Sequence, residues 1–240
     1  MRKVYLYLFL FCVLISCQKL PDIQLPKVSK AELTKLTNHS QAYIFYDLQA
    51  SDSVLLNRKN LILNTHWVVH ADARLSLKKL LPKLEILRKK RERKSIHTKE
   101  EMNTYFSVMD ESKKQLGFID YSSINYKFPD THAKFYIKEL PAVHMDLYTL
   151  IINYDQDNKI TVDGNLIAKE ELSSFLKEQI DFASEGRKTL LYLNFDEQLS
   201  FDQYLKNYVM ISQLANENIR IAKEQFIYNY DKLPDCNCSL

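Results

Sequence analysis

The chain has 240 residues, 46% hydrophobic and 26% charged, which are values of a folded protein with room for two modest domains or one large one. It holds only three glycines, Gly117, Gly164 and Gly186, each isolated. That excludes the glycine-rich loops that cradle phosphate or a dinucleotide, and a formal charge of only +3 gives no support to a nucleic-acid partner.

The first residues read as an address. Arg2 and Lys3 precede an almost wholly apolar stretch over 4–15, and the small Ser16 precedes Cys17. The apolar core has the length of a signal peptide's central region and falls short of the ~20 residues that span a bilayer. Leu14-Ile15-Ser16-Cys17 resembles the lipobox of a bacterial lipoprotein, which implies lipidation at Cys17 and removal of residues 1–16. Processing removes Arg2 and Lys3 and takes the formal charge from +3 to +1. The expected location is periplasmic, held to the inner or outer membrane by a lipid anchor, since several acyl chains anchor a protein stably. Residues 17–24 form the lipidated tether, with Pro21 and then Pro26 keeping the chain extended.

Further along, 31–37 reads as a short helix, and 42–47 with 54–56 as a strand pair. Residues 67–71 read as a central strand, followed by the leucine stripe Leu77, Leu80, Leu81, Leu84 and Leu87, which contains Pro82. Thr98 with Glu101 reads as a capping box opening a helix that carries Met102, Tyr105, Phe106 and Met109 to Gly117. A closing strand over 118–126 and a linker over 128–139 complete the first half. The second half reads as a strand (147–153), a turn, a return strand (160–162) closed by Asp163-Gly164, a helix (169–183), a strand (189–195), a helix from Ser200 and a last strand from Ile219.

Two stretches repeat one pattern. In 189–208, TLLYLNFDEQLSFDQYLKNY, an apolar strand stops at Asp196, and Ser200 with Gln203 forms a capping box ahead of Phe201, Tyr204, Leu205 and Tyr208. In 67–87, WVVHADARLSLKKLLPKLEIL, the same order gives Asp72, Leu75 and Ser76 in the places of Asp196, Leu199 and Ser200. An internal repeat is expected, and its helices should cover one face of a small mixed sheet.

The second half resembles the periplasmic domain of the ExbD/TolR family of biopolymer-transport proteins, through Leu140-Pro141, LIINYDQDNKITVDGNLI (150–167), EELSSFLKEQ (170–179) and LYLNFDEQLSFDQYLKNYVMISQLANENIRI (191–221). The first half matches more faintly, through Leu25-Pro26-Lys27, FYDLQASDSVLLN (45–57) and the Asp72 strand–helix unit. The resemblance implies an α+β fold of two tandem ExbD/TolR-like domains, each a small mixed β-sheet with helices packed on one face. The expected division is 25–127 for a diverged repeat, 128–139 for a linker, 140–231 for the second repeat and 232–240 for a tail. It also implies a non-enzymatic binding or scaffolding component of an envelope transport or energy-transduction complex. The expected partners are the membrane through the lipid anchor, envelope proteins of the ExbB/TonB type, and a second copy of the chain. Members of the family carry a transmembrane aspartate, whereas 4–16 contains no acid, so the membrane proton step is not implied. A freestanding envelope lipoprotein that binds glycan or peptide is the other reading.

No catalytic residue, cofactor or metal is expected. His66 and His70 have helical metal-site spacing, but on a strand they stand roughly 13 Å apart, too far for one ion. Asp72 and Asp196 end equivalent strands and read first as turn residues and second as partner-binding positions. Arg88, Lys89, Lys90, Arg91, Arg93 and Lys94 read as a solvated helix end or as a contact for an anionic surface. Cys236 and Cys238 lie in the tail, where an oxidising compartment allows a disulfide.

Overall fold

The computed structural model describes residues 21–92, 102–129 and 131–233. Cys17, Arg93, Lys94, the Thr98–Glu101 capping box, Cys236 and Cys238 lie outside the described residues. Among the described residues the architecture is two six-stranded mixed sheets and five α-helices, compatible with the α+β class.

The first sheet contains β1 (Lys27–Val28), β2 (His39–Tyr46), β3 (Val54–Asn57), β4 (His66–Ala71), β5 (Thr104–Asp110) and β6 (Gln115–Asp120), with helix α1 (Leu77–Arg91) between β4 and β5. The second contains β7 (Asn125–Lys127), β8 (Leu147–Tyr154), β9 (Ile160–Val162), β10 (Asn165–Ile167), β11 (Lys188–Asp196) and β12 (Ile219–Tyr228). Helices α2 (Ala133–Glu139) and α3 (Pro141–His144) precede β8, α4 (Leu172–Ala183) precedes β11, and α5 (Phe201–Ser212) precedes β12.

Both sheets share a four-strand frame. In the first, β3 runs antiparallel to β2, and β2, β4 and β5 run parallel. In the second, β9 runs antiparallel to β8, and β8, β11 and β12 run parallel. The frames differ beyond this core, where β6 pairs antiparallel with β5 and β7 pairs parallel with β12.

The halves meet about the two serines that the sequence sets in register. Ser76 and Ser200 form an antiparallel bridge. The Leu77 amide donates to the Leu199 carbonyl at 2.9 Å and the Phe201 amide to the Leu75 carbonyl at 2.7 Å. One step further, the Lys78 amide donates to Glu197 O at 2.7 Å and the Asp202 amide to Ala73 O at 3.1 Å. Each bond thus has its counterpart under exchange of the halves. The first amides of a helix have no partner within it, and here each half supplies the carbonyls for the other. Leu75, Leu77, Leu199 and Phe201 are buried at this seam, and one apolar cluster runs through both halves. Phe106 and Phe201 make an edge-to-face contact across it with ring centres 4.9 Å apart.

Several local expectations are corrected. The helix from Met102 to Gly117 is instead the hairpin β5–β6. Tyr105, Phe106, Ser107 and Val108 are buried in succession, as suits a strand covered on both faces, and this outweighs the helical spacing of Met102, Tyr105, Phe106 and Met109. Gly117 does not end a helix. It lets the chain at Ala31 cross β6, since a Cβ there would stand 2.3 Å from the Ala31 Cβ. Residues 31–37 form no helix, and Leu33 exchanges backbone hydrogen bonds with Phe118. The strand expected over 118–126 ends at Asp120, and the chain then enters the second sheet as β7. The stretch expected as linker holds α2, and the second sheet is covered on both faces. Ala133, Tyr136 and Ile137 pack on Tyr192, Ala222 and Phe226, on the side away from the main core.

Candidate functional site

The parallel strands β8, β11 and β12 run the same way, so their C-terminal ends lie together along one edge, where open α/β sheets bind ligands. The same three-residue pattern recurs at or just beyond the end of each. Asn153-Tyr154-Asp155 closes β8, Asn194-Phe195-Asp196 closes β11, and Asn229-Tyr230-Asp231 follows β12. Pleating alternates side chains across a strand, so in the first two the aromatic ring faces the main core while the flanking asparagine and aspartate take the opposite side. Tyr154 and Phe195 accordingly stack at 5.0 Å inside the core.

The outward residues border a cavity of about 600 Å³ that includes Asn153, Asp155, Asp196, Asn229 and Asp231 in its wall. A polar ladder supports its floor. Asn194, fully buried, donates to Asn153 Oδ1 at 2.8 Å and accepts from the Ala133 amide at 2.9 Å, and Asn153 donates to Thr161 Oγ1 at 3.1 Å. His132, at the start of α2, is 3% exposed and lines the same cavity. Its Nδ1 accepts from the Lys134 amide at 3.2 Å, and the Asn153 side chain lies within hydrogen-bonding reach of the ring. Burial, reinforced by the Lys134 charge and only partly opposed by Asn153, lowers its pKa to about 4, so the ring is neutral at pH 7.

The carboxylates of the cavity are weakly neutralised. Asp196 Oδ1 accepts from the Gln198 amide at 2.7 Å, and Asp155 Oδ1 accepts from the amides of Asp157 and Lys159 at 2.9 and 2.7 Å. Among the described residues the second oxygen of each has no partner, and no basic side chain pairs with Asp155, Asp196 or Asp231. Glu197 is the exception, since it accepts from Lys78 Nζ at 2.8 Å and Asn229 Nδ2 at 2.7 Å. Burial, followed by the charges of Glu197, Asp155 and Asp231, raises the Asp196 pKa above the ordinary carboxyl range.

Asp72, at the equivalent strand end of the first half, has the opposite environment. Its side chain is fully buried, and Arg74 reaches it through Nε and Nη2, both at 2.8 Å. The amides of Arg74 and Gln24 donate to it at 3.0 and 3.1 Å. Burial alone would raise its pKa, but these bonds outweigh burial and hold it below the usual range. The chain ahead of β1 makes the difference. Pro26 and Val28 carbonyls accept from Met109 and Glu111 amides, so β1 takes the edge of β5 that β4 leaves after Phe106, while the Ala73 amide donates to Gln24 O. In the second half β11 pairs with β12 up to Asp196 and Tyr228, and no strand is wedged between them. The structure therefore separates the two aspartates that the sequence treats alike, locking Asp72 into an ion pair and leaving Asp196 at an open cavity.

The basic run is largely committed. Arg88 pairs with Glu85 at 2.8 Å and with Glu92, and Lys89 approaches Glu85 at 3.5 Å. Arg91 donates to the carbonyls of Leu63, Thr65 and Asn103 and lies 4.0 Å from the Trp67 ring centre. Lys90 pairs with no carboxylate among the described residues. His66 and His70 sit on β4 with separate partners, the Asn103 amide for one and Ser107 Oγ for the other. The sequence reading missed His132, Asn153, Asp155, Asn194, Asn229 and Asp231. For all but His132 the signal was present as the Asn–aromatic–Asp triplet repeated three times at or just past strand ends.

Compared with known proteins, the chain matches no family model, no curated protein and no solved structure. The architecture is that of a two-sheet α+β protein with a polar, acid-lined cleft, and the functional reading rests on that geometry together with the sequence.

Proposed function

We propose that this protein is a non-enzymatic periplasmic lipoprotein, ExbD/TolR-like in build, that serves as a binding or scaffolding component of an envelope biopolymer-transport or energy-transduction complex. Cys17 carries the lipid that holds it to the membrane. The observation that supports this reading is the shared frame of the two sheets, joined reciprocally about Ser76 and Ser200, because it is a repeated strand–helix unit of the kind the resemblance implies. In this reading one chain contains both members of a paired unit, and the edge strands β3 and β10 remain available for strand addition by a partner or a second copy. Cross-linking in whole cells, followed by affinity purification through the lipidated chain, tests it. Recovery of envelope motor subunits is the expected result, and their repeated absence rejects the transport role. Replacing Cys17→Ser should release the protein from the membrane fraction.

The acid-lined cavity supports a second reading, a freestanding envelope lipoprotein that binds glycan or peptide and is unconnected to transport. The same purification separates the two, since the freestanding form returns without motor subunits.

A further inference from the structure

We infer that the cleft between α1 and the chain crossing from the first sheet to the second (121–128) is a binding site for a carboxylate that carries an apolar body, with Arg91 as its counter-charge. The inference goes beyond the proposed role in transport and does not depend on it.

The first support is a cation without a counter-ion. Arg91 Nη1 donates to the carbonyls of Leu63 and Thr65 at 3.0 and 3.1 Å, and Nη2 donates to that of Asn103 at 3.2 Å. The Trp67 ring centre lies 4.0 Å from its Cζ. These contacts fix the guanidinium but bring it no negative charge. Its Nε is buried and finds no acceptor, and no carboxylate among the described residues pairs with it. Burial lowers its pKa to about 10, with only the Tyr121 hydroxyl acting the other way, so at neutral pH the group keeps its charge while losing hydration. A buried charge without a partner is costly, and buried donors are normally satisfied.

The second support is the space beside that cation. Arg91 lines a cavity of about 340 Å³, a volume within the range of small-molecule sites. Leu84 and Leu87 line it from α1, Tyr121, Ile124 and Phe128 line it from the crossing chain, and Met102 adds to the apolar wall. A mostly apolar lining with one fixed polar group is the pattern that buries a ligand's body and orients its head. A guanidinium suits a carboxylate head, because its planar fork matches the two oxygens.

The charges around the cavity set the ligand's charge. Glu85 and Glu92 line it too, but Arg88 pairs with both and Lys89 approaches Glu85, so these two acids and two bases balance among themselves. Arg91 is left as a single uncompensated charge among the described residues, which suits a monoanion and disfavours phosphate groups. The frame itself does not require this cation, because α5, the matching helix of the second half, has no basic residue in its last turn. Carboxylates with an apolar body occur as free fatty acids and as the C-termini of peptides that end in a hydrophobic residue.

Titration calorimetry on the full mature chain in phosphatidylcholine nanodiscs, with empty discs as the reference, tests the assignment. The probes are butanoate, octanoate and N-acetylphenylalanine, and the neutral controls are octanamide and N-acetylphenylalanine amide. Saturable binding of octanoate or N-acetylphenylalanine is expected, at least about tenfold tighter than that of butanoate because the larger body is buried. It should also be at least about tenfold tighter than that of the matching amide. Arg91→Met should weaken it by a similar factor, and the surface change Glu178→Gln should leave it unchanged. Tighter binding of octanoate assigns the site to fatty acids, and tighter binding of N-acetylphenylalanine assigns it to peptide C-termini. If Arg91→Met fails to fold by circular dichroism, Ile124→Trp decides, because it fills the cleft and leaves the bonds of Arg91 to Leu63, Thr65 and Asn103 in place. No saturable heat, equal affinity for acids and amides, or undiminished binding in a folded Arg91→Met or Ile124→Trp protein would overturn the inference. Binding that appears only when Glu100→Gln and Glu101→Gln are combined would overturn it too, by giving Arg91 to the chain's own acids. None of these results touches the recovery of motor subunits, so the two readings fail separately.

Discussion

Replacing Asp72 and Asp196 one at a time by alanine should produce unequal losses of stability, although the sequence presents the two as equivalent. Asp72→Ala removes the acceptor for the Gln24 and Arg74 amides and for two donors of the Arg74 guanidinium. A buried donor left without a partner costs about 1–3 kcal/mol. The Gln24 amide lies near the surface and the Arg74 side chain is 42% exposed, so both regain water and the lower end of that range applies to each. A loss of about 2–3 kcal/mol follows. Asp196→Ala removes one amide contact and relieves repulsion from Glu197, Asp155 and Asp231, for a net change within about 1 kcal/mol. Urea unfolding followed by the fluorescence of Trp67, the single tryptophan and fully buried, reads both. The pH dependence gives a second sign. Asp72, with its folded pKa depressed, contributes stability that is present above its unfolded pKa and lost as pH falls through the lower folded value. Asp196, with its folded pKa raised, binds its proton more readily in the folded state, so its penalty at neutral pH fades as pH falls through that raised value. Equal losses for the two variants, or a larger one for Asp196→Ala, would refute the assignment of one aspartate to structure and the other to an open site.

Three further outcomes are expected. Ser200→Ala should cost about 1 kcal/mol, because Ser200 and Gln203 form a complete capping box. Ser76→Ala, at a position with no side-chain cap bond, should stay within about 0.5 kcal/mol, and equal urea midpoints would contradict this. Gly117→Ala should cost about 1–3 kcal/mol through its clash with the Ala31 Cβ. Most of that should return in the double change with Ala31→Gly, and a lack of recovery would place the strain elsewhere. His70 and His132, both held to a pKa of about 4 by burial first, with the His39 charge assisting for one and the Lys134 charge for the other, stay neutral in the folded protein. Because the unfolded chain takes up those protons first, stability should fall as pH drops from about 6.5 towards 4, by up to about 3 kcal/mol per histidine. NMR resonances of either ring titrating near 6.5 in the folded state would count against it.

Most of the frame was legible in the sequence because the determinants were local. The Ser200 capping box, the strand stops at Asp72 and Asp196 and the Asp163-Gly164 turn each depend on a few neighbouring residues, and both turn residues adopt the positive φ that such hairpins need. The failures involve tertiary partners. Met102, Tyr105, Phe106 and Met109 fit a helical period, yet the uninterrupted burial of 105–108 belongs to a strand between two layers. The helix over Ala133–Glu139 was hidden by Pro129 and Pro141 on either side, which mark a linker in isolation. The apolar run Leu190–Leu193 held the clue, since a strand apolar on consecutive positions needs cover on both faces, and α2 supplies the second cover.

The site was harder to read than the fold, because it arises where two similar halves part company. An aspartate ending a parallel strand is compatible with a turn, an ion pair or a ligand contact, and the residues beside it decide which. Arg74 follows Asp72 by two positions and closes on it, while Gln198 holds the matching place after Asp196 and donates only its amide to that carboxylate. The chain around Gln24 reaches Asp72 from 48 residues away, a contact that no short motif encodes. In the second half the corresponding edge stays open, and Asp155 and Asp196 are held there by backbone amides of the turns that follow them. Holding unpaired like charges together opposes folding, whereas the first half shows how readily the same frame neutralises its acid. The retained charge therefore sets the electrostatic difference between the halves at Asp196 and not at the seam they share.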